Sequence, residues 1–222
     1  MKSFQWLYQH VVEHRAGEDI EALLPQSLDA AQLAAVGDDR LLSDLCRRVF
    51  RAGLRHALVD ARWPAFEEAF WGFDAHKVAL MSDEQLERLM QNDKLIRHWG
   101  KLKSVRANAF MVTEMASRHG SFARFLADWP QDNIVGLWRL LKQQGSQLGG
   151  NSGPYFLRMV GKDTFVLTDD VVAGLIAQGV VDKRPTAQRD LRLVQQAFNQ
   201  WQLESGRPLC QISRLLAMTV GW

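Results

Sequence analysis

A chain of 222 residues with 47% apolar and 23% charged side chains can bury a proper core and is far from the composition of a disordered segment. The net charge of +2 is too small to identify a polyanion partner, so any nucleic-acid case rests on where the charges sit. Cys46 and Cys210 lie far apart with no Cys-x-x-Cys spacing, which argues against a disulfide framework or a zinc site, and no signal peptide, membrane-spanning run or lipidation motif is legible.

In chain order the pattern is helical almost throughout. Phe4, Leu7, Tyr8, Val11 and Val12 predict an amphipathic helix from Phe4 to His14. Short helices over Ile20–Leu24 and Ala30–Val36 are separated by Pro25 and Ser27. Asp38 or Asp39 is read as the cap of a longer helix reaching Leu54, and Trp63–Phe70 follows a turn, with Pro64 at an early helical position. Asp74 caps Ala75–Leu80, and Ser82 with Gln85 has the form of a capping box. Further helices are predicted from about Ser104 to Ser117, from Phe122 after Ser121, and from Asp132 to Gln144. Near the end, Thr186 is read as the cap of Ala187–Gln202, and Pro208 opens the last helix. Thr164–Leu167 is the one strand candidate. The expectation is a single all-α domain over 1–222, with two lobes around a cleft as a variant.

The stretch from Gln147 to Leu175 organises the rest. A helical run ends at Gly145. Gly149, Gly150 and Gly153 then make a tight turn, Pro154 suits a first helical position, and an apolar helix runs from Tyr155 to Val160. Helix, glycine turn, helix brings backbone N–H groups up to an anion. Thr168-Asp169-Asp170 then opens another apolar helix. This order over 145–175 resembles the helix-hairpin-helix DNA glycosylases, whose hairpin grips the DNA backbone and whose following aspartate serves the excision chemistry.

A second match is more specific. Ala52-Gly53-Leu54 ends a helix, Phe73-Asp74 is followed by Val78-Ala79, and Ile96-Arg97, Lys101-Leu102 and Asn108-Ala109 come in fixed order. This resembles the 3-methyladenine DNA glycosylase I family over roughly residues 41–112, resuming at the hairpin. The resemblance implies an all-α glycosylase fold and a monofunctional enzyme that excises an alkylated purine, with no cofactor. Its partner would be double-stranded DNA containing a damaged base, and a cytoplasmic monomer is expected. The chain also departs from the family: Arg48 stands where its base-reading glutamate falls, His56 where an aromatic lines the pocket, and its zinc ligands have no counterparts.

The resemblance assigns the sites. Asp170 or Asp169 is the carboxylate that stabilises the cationic sugar, although an acidic pair before a helix also serves as an N-cap. Gly150, Asn151, Ser152 and Gly153 are expected to hold phosphate, and Gly53 and Leu54 to face DNA. Tyr155 occupies the place of the lysine nucleophile in strand-cutting relatives, and Lys162 is an out-of-register alternative. Arg48, His56 and Tyr155 are assigned to the base pocket, with Trp6 and Tyr8 available to stack.

Charge placement is independent of the resemblance. Arg47, Arg51 and Arg55 share a helix face, and Lys94, Arg97, Lys101, Lys103 and Arg106 form a second basic run. Both suit a sequence-independent hold on phosphate, or a solvated face paired with Glu67, Glu68, Glu84 or Glu87. No histidine pair is read as having metal spacing with a carboxylate. The readings left open are a glycosylase, a non-catalytic DNA-binding protein of the same fold, and a helical interaction module.

Overall fold

The computed structural model describes residues 1–220, and their regular structure is entirely helical, as the periodicity predicts. In chain order the helices are α1 (Phe4–His14), α2 (Ala30–Ala34), α3 (Asp38–Arg51), α4 (His56–Ala69), α5 (Ala75–Ala79), α6 (Asp83–Leu89) and α7 (Trp99–His119). There follow α8 (Phe122–Asp128), α9 (Ile134–Gln144), α10 (Ser152–Met159), α11 (Asp169–Ala177), α12 (Gln188–Ser205) and α13 (Leu209–Ala217).

Many helix starts are local decisions. Ser3, Asp74 and Ser121 each accept an N–H from their own first turn, while Asp29–Gln32 and Ser82–Gln85 close reciprocal capping boxes. Three starts, that of α8 again among them, also take hydrogen bonds from a distance. Asp38 is not the N-cap of α3, which is Gly37; its carboxylate accepts from Phe122 N and Ala123 N, both at 2.9 Å, at the start of α8. Buried Asp163 accepts from Leu209 N and Cys210 N at 2.8 Å, where Pro208 has no capping side chain to offer α13. Gln195 of α12 accepts from Val135 N at the start of α9. Asp132, the expected cap there, lies in the preceding 3-10 turn Gln131–Asn133.

Other boundaries also move. α4 begins at His56 and carries Pro64 in its interior; α7 begins at Trp99, where His98 Nδ1 accepts from Lys101 N. Ala187, not Thr186, is the N-cap of α12. The segment 164–167 is buried but forms no strand: Val166 N finds Ser213 Oγ of α13 in place of a neighbouring strand.

The chain divides into two compact units. One comprises Met1–Leu28, Pro130–Leu137 and Gly161–Trp222. In it α1 packs on α12 and α13, and α11 on α13. Phe165 stacks on Phe198 at 4.1 Å, and Phe198 meets fully buried Trp201 edge-on. The other comprises Asp29–Trp129 and Trp138–Val160. Here α3 packs on α4, α7 and α10 around an aromatic column in which Trp63 stacks on Phe66 and Phe73 at 4.9 and 5.5 Å. Trp63 Nε1 donates to Ser43 Oγ, satisfying the one polar atom of the indole in that core.

Candidate nucleic-acid interface and base pocket

Within the second unit, α9 ends at Gln144 and α10 begins at Ser152, with the glycine turn between them. Gly145 has no room for a side chain: a Cβ there would sit 2.5 Å from Leu148 Cδ1 and 2.8 Å from the Leu141 carbonyl. Asn108, fully buried on α7, pins the next residue by accepting from Ser146 N at 2.7 Å and donating to Ser146 O at 3.1 Å. Gly150, at φ +58°, turns the chain into α10 through open space. Pro154 falls at the third helical position, not the first. The hairpin is thus held by a buried amide on one side and left exposed at Gly150 on the other. Asn151 and Ser152 are half-exposed, while Gly153 is buried. At this start Ser152 N donates to Gly149 O at 3.1 Å and Tyr155 N to Asn151 O at 2.9 Å, while Pro154 has no N–H to offer.

The end of α3 is built around Lys101. Its ammonium does not face solvent but donates to the carbonyls of Val49, Phe50 and Ala52, at 2.8, 3.2 and 2.5 Å. Lys101 therefore satisfies the orphan carbonyls of α3 and complements the negative end of its dipole. This corrects its expected place among the phosphate contacts. Burial, and then the positive charge of Arg48, lower its pKa.

Arg48 is half-buried, with its guanidinium 4.7 Å from the centre of the Tyr155 ring on α10. Its Nε is buried without a hydrogen-bond partner among the described residues. Burial lowers its pKa, and Arg51 acts in the same direction. A guanidinium with a ring face on one side and no described carboxylate partner can receive an acceptor-rich group. His56 is exposed at the first position of α4, and Leu54 is half-exposed in the turn that Gly53 opens.

Arg47 and Arg51 share one acid, Asp60: Arg51 engages both carboxylate oxygens, at 2.7 and 2.8 Å, and Arg47 Nε donates at 2.9 Å. Burial would raise the Asp60 pKa, but the hydrogen bonds from Arg51 and Arg47 outweigh it and hold the carboxyl below its ordinary value. The partner is thus a residue of α4, not any of the glutamates the sequence suggested, and Arg51 is committed to it. Arg106 is committed too, to Met81 O and Asp83. Lys94 and Arg97 are exposed and make no ion pair among the described residues, and Lys103 lies over the Trp99 ring.

Asp169 and Asp170 belong to the first unit, at the first two positions of α11. Neither is the cap: Thr168 accepts from Val171 N at 3.2 Å. Both carboxylates are exposed. Asp169 is ion-paired with Arg184, which also donates to Leu167 O, whereas Asp170 has no such partner among the described residues. Lys162 is buried. Tyr8 is not a free stacking face: its hydroxyl donates to Glu21 at 2.7 Å and the Arg207 guanidinium lies 5.3 Å from its ring. Trp6 is exposed and stacks on His10 at 4.7 Å.

One arrangement escaped the sequence reading. His10, Glu13 and His14 do converge, although no such set was expected; the i, i+3, i+4 spacing within α1 was the signal. No helix among the described residues is long and apolar enough to cross a membrane.

Residues 32–147 match the family model described as methyladenine glycosylase. That span is more than half of the chain and contains α3, Lys101 and Asn108, so the chain belongs to the methyladenine glycosylase family. The DNA-3-methyladenine glycosylase 1 of Escherichia coli K12 is 32% identical over 87 residues, which is 39% of this chain and 46% of that protein. The DNA-3-methyladenine glycosylase of Haemophilus influenzae is also 32% identical over 87 residues, covering 47% of its length. The chain thus spans about half the length of the curated relatives it matches. Among solved structures, a point mutant of 3-methyladenine DNA glycosylase I from Staphylococcus aureus aligns with a TM-score of 0.52 at 23% identity, over 82% of this chain and 94% of that one. A tyrosine-to-phenylalanine variant of 3-methyladenine DNA glycosylase I, in complex with 3-methyladenine, aligns at 0.51 and 25% identity, over 73% and 90%. The fold is that of these enzymes.

Proposed function

We propose that this protein is a monofunctional DNA glycosylase that removes an alkylated purine, such as 3-methyladenine, from double-stranded DNA. The observation that carries this reading is the hairpin between α9 and α10, fixed by Asn108 and open at Gly150, in a chain of the methyladenine glycosylase family. The hairpin takes the DNA backbone at exposed Gly150, where no side chain stands in the way, and through the Asn151 and Ser152 side chains. Exposed Lys94, Arg97 and Arg55 add a sequence-independent hold.

A purine cannot be cut while stacked, so it is turned out of the duplex; Tyr155, more than a third exposed, offers it an aromatic face. As the C1′–N bond lengthens, positive charge grows on the sugar. Asp170 is the carboxylate that stabilises it, because Asp169 is already occupied by Arg184. Water then bonds to C1′, the cationic base leaves neutral with the bonding electron pair, and the proton that the water loses passes to the Asp170 carboxylate and on to solvent. Tyr155 stands where a lysine nucleophile would, so no Schiff base forms and the strand stays uncut.

Arg48 favours a second reading, a DNA-binding protein of the same fold without excision. A guanidinium repels a cationic base, and no carboxylate among the described residues neutralises this one. The two readings share the hairpin and differ in chemistry. Replacing Gly150 and Gly153 with valine should weaken DNA binding at least about tenfold, chiefly at low salt, and abolish base release. Unchanged, salt-sensitive DNA affinity in a folded hairpin variant would remove the hairpin from the interface.

A further inference from the structure

We propose that His10, Glu13 and His14 on α1 form a binding site for a divalent first-row transition cation of the zinc class. The inference rests on this helix alone and is independent of the glycosylase reading. Residues i, i+3 and i+4 stand on one helix face, one turn apart. The two imidazole rings lie with centroids 4.1 Å apart, and one ligand atom from each of the three residues lies within 4.8 Å of the others. Two metal–ligand bonds of about 2.0–2.2 Å span up to about 4.4 Å, so small rotamer adjustments bring all three atoms onto one ion.

A second observation concerns the tautomer of His14. His14 Nδ1 lies 2.8 Å from the backbone carbonyl of His10. A carbonyl only accepts, so Nδ1 is the nitrogen that donates there, which assigns the metal-ligand role to Nε2. A carbonyl partner on the second nitrogen is the arrangement that fixes the tautomer and orientation of metal-binding histidines. On the other side, the Trp6 ring stacks on His10 at 4.7 Å and 13° and restrains that imidazole.

Two imidazoles and a carboxylate make a borderline nitrogen–oxygen set that suits zinc, nickel or copper and not magnesium. No cysteine takes part, since Cys46 and Cys210 are both buried. Three protein ligands leave the remaining coordination positions to water or a partner's donor. An ion held there clips one turn of α1, the helix that packs on α12 and α13.

The test is titration of the full chain with zinc chloride, followed by calorimetry and by the histidine signals in NMR. One zinc per chain is expected, with the resonances of His10 and His14 shifting and magnesium inert. His10→Ala and His14→Ala should each weaken binding at least roughly tenfold, and Glu13→Gln less. Both histidines are at least partly exposed, so the variants should keep the wild-type circular dichroism spectrum. The proposal is overturned if no zinc binds below about 1 mM, or if a folded His10→Ala/His14→Ala double variant binds as tightly as wild type.

Discussion

Asp170 and Asp169 differ in what already holds them. Asp169 is ion-paired to Arg184, while Asp170 lies one residue on, exposed and without such a partner among the described residues. We therefore expect Asp170→Asn to slow base release by about 100-fold or more and Asp169→Asn to slow it far less, measured in single turnover so that binding is separated from chemistry. Arg48→Glu would place a carboxylate near Arg51 and Lys101 and against the Tyr155 ring. It should raise release of a cationic alkylated purine by roughly tenfold; an unchanged rate would show that Arg48 does not meet the base. Asp60 carries a pH prediction. Its folded pKa is depressed, so its contribution is present above the unfolded carboxylate pKa of about 4 and is lost as pH falls through the lower folded value. Urea midpoints should therefore fall on acidification below about pH 4, and Asp60→Asn should flatten that limb. A midpoint profile identical to wild type would show that the two arginines do not depend on this acid.

At the scale of helices, the termini separate what was legible from what was not. Asp74, Ser82 with Gln85, and Ser121 act within three residues of themselves, so their spacing announces them. Asp38, Asp163 and Gln195 act across 84, 46 and 60 residues, and no local pattern can show that. The starts of α4 and α7 were missed for a related reason: Arg55 is no capping residue, and His98 caps through a ring nitrogen. Pro64 looked like a helix start because proline usually is one. Lys101 read as one more cation in a basic run, when its stem is long enough to reach the end of α3. Lys101→Met should leave three carbonyls unpaired and cost about 3 kcal/mol in urea unfolding, while DNA affinity falls less than for Arg97→Ala. Asp163→Ala removes two charge-assisted bonds in a buried setting and should cost about 2–4 kcal/mol. A loss below about 0.5 kcal/mol in either variant would contradict its capping role.

For the whole molecule, the all-α class and the family were legible because each is written in short-range pattern: helical period, and motif residues in order. The grouping of residues 1–28 with 161–222 into one unit was not, since it depends on long-range pairs such as Arg207 with Glu21. Nor could the sequence show that Asn108 closes its hydrogen bonds on Ser146 and so fixes the hairpin. Asn108→Ala should leave Ser146 N and O without that clamp, lowering both stability and DNA affinity. The most direct test of the central claim is base release from methylated double-stranded DNA by the full chain, with strand scission scored on the same samples. Free alkylated purine appearing with the strand left intact, and disappearing in Asp170→Asn, is the result expected of a monofunctional glycosylase. Salt-sensitive binding with no base released would contradict the excision chemistry and leave the protein a DNA-binding member of its family.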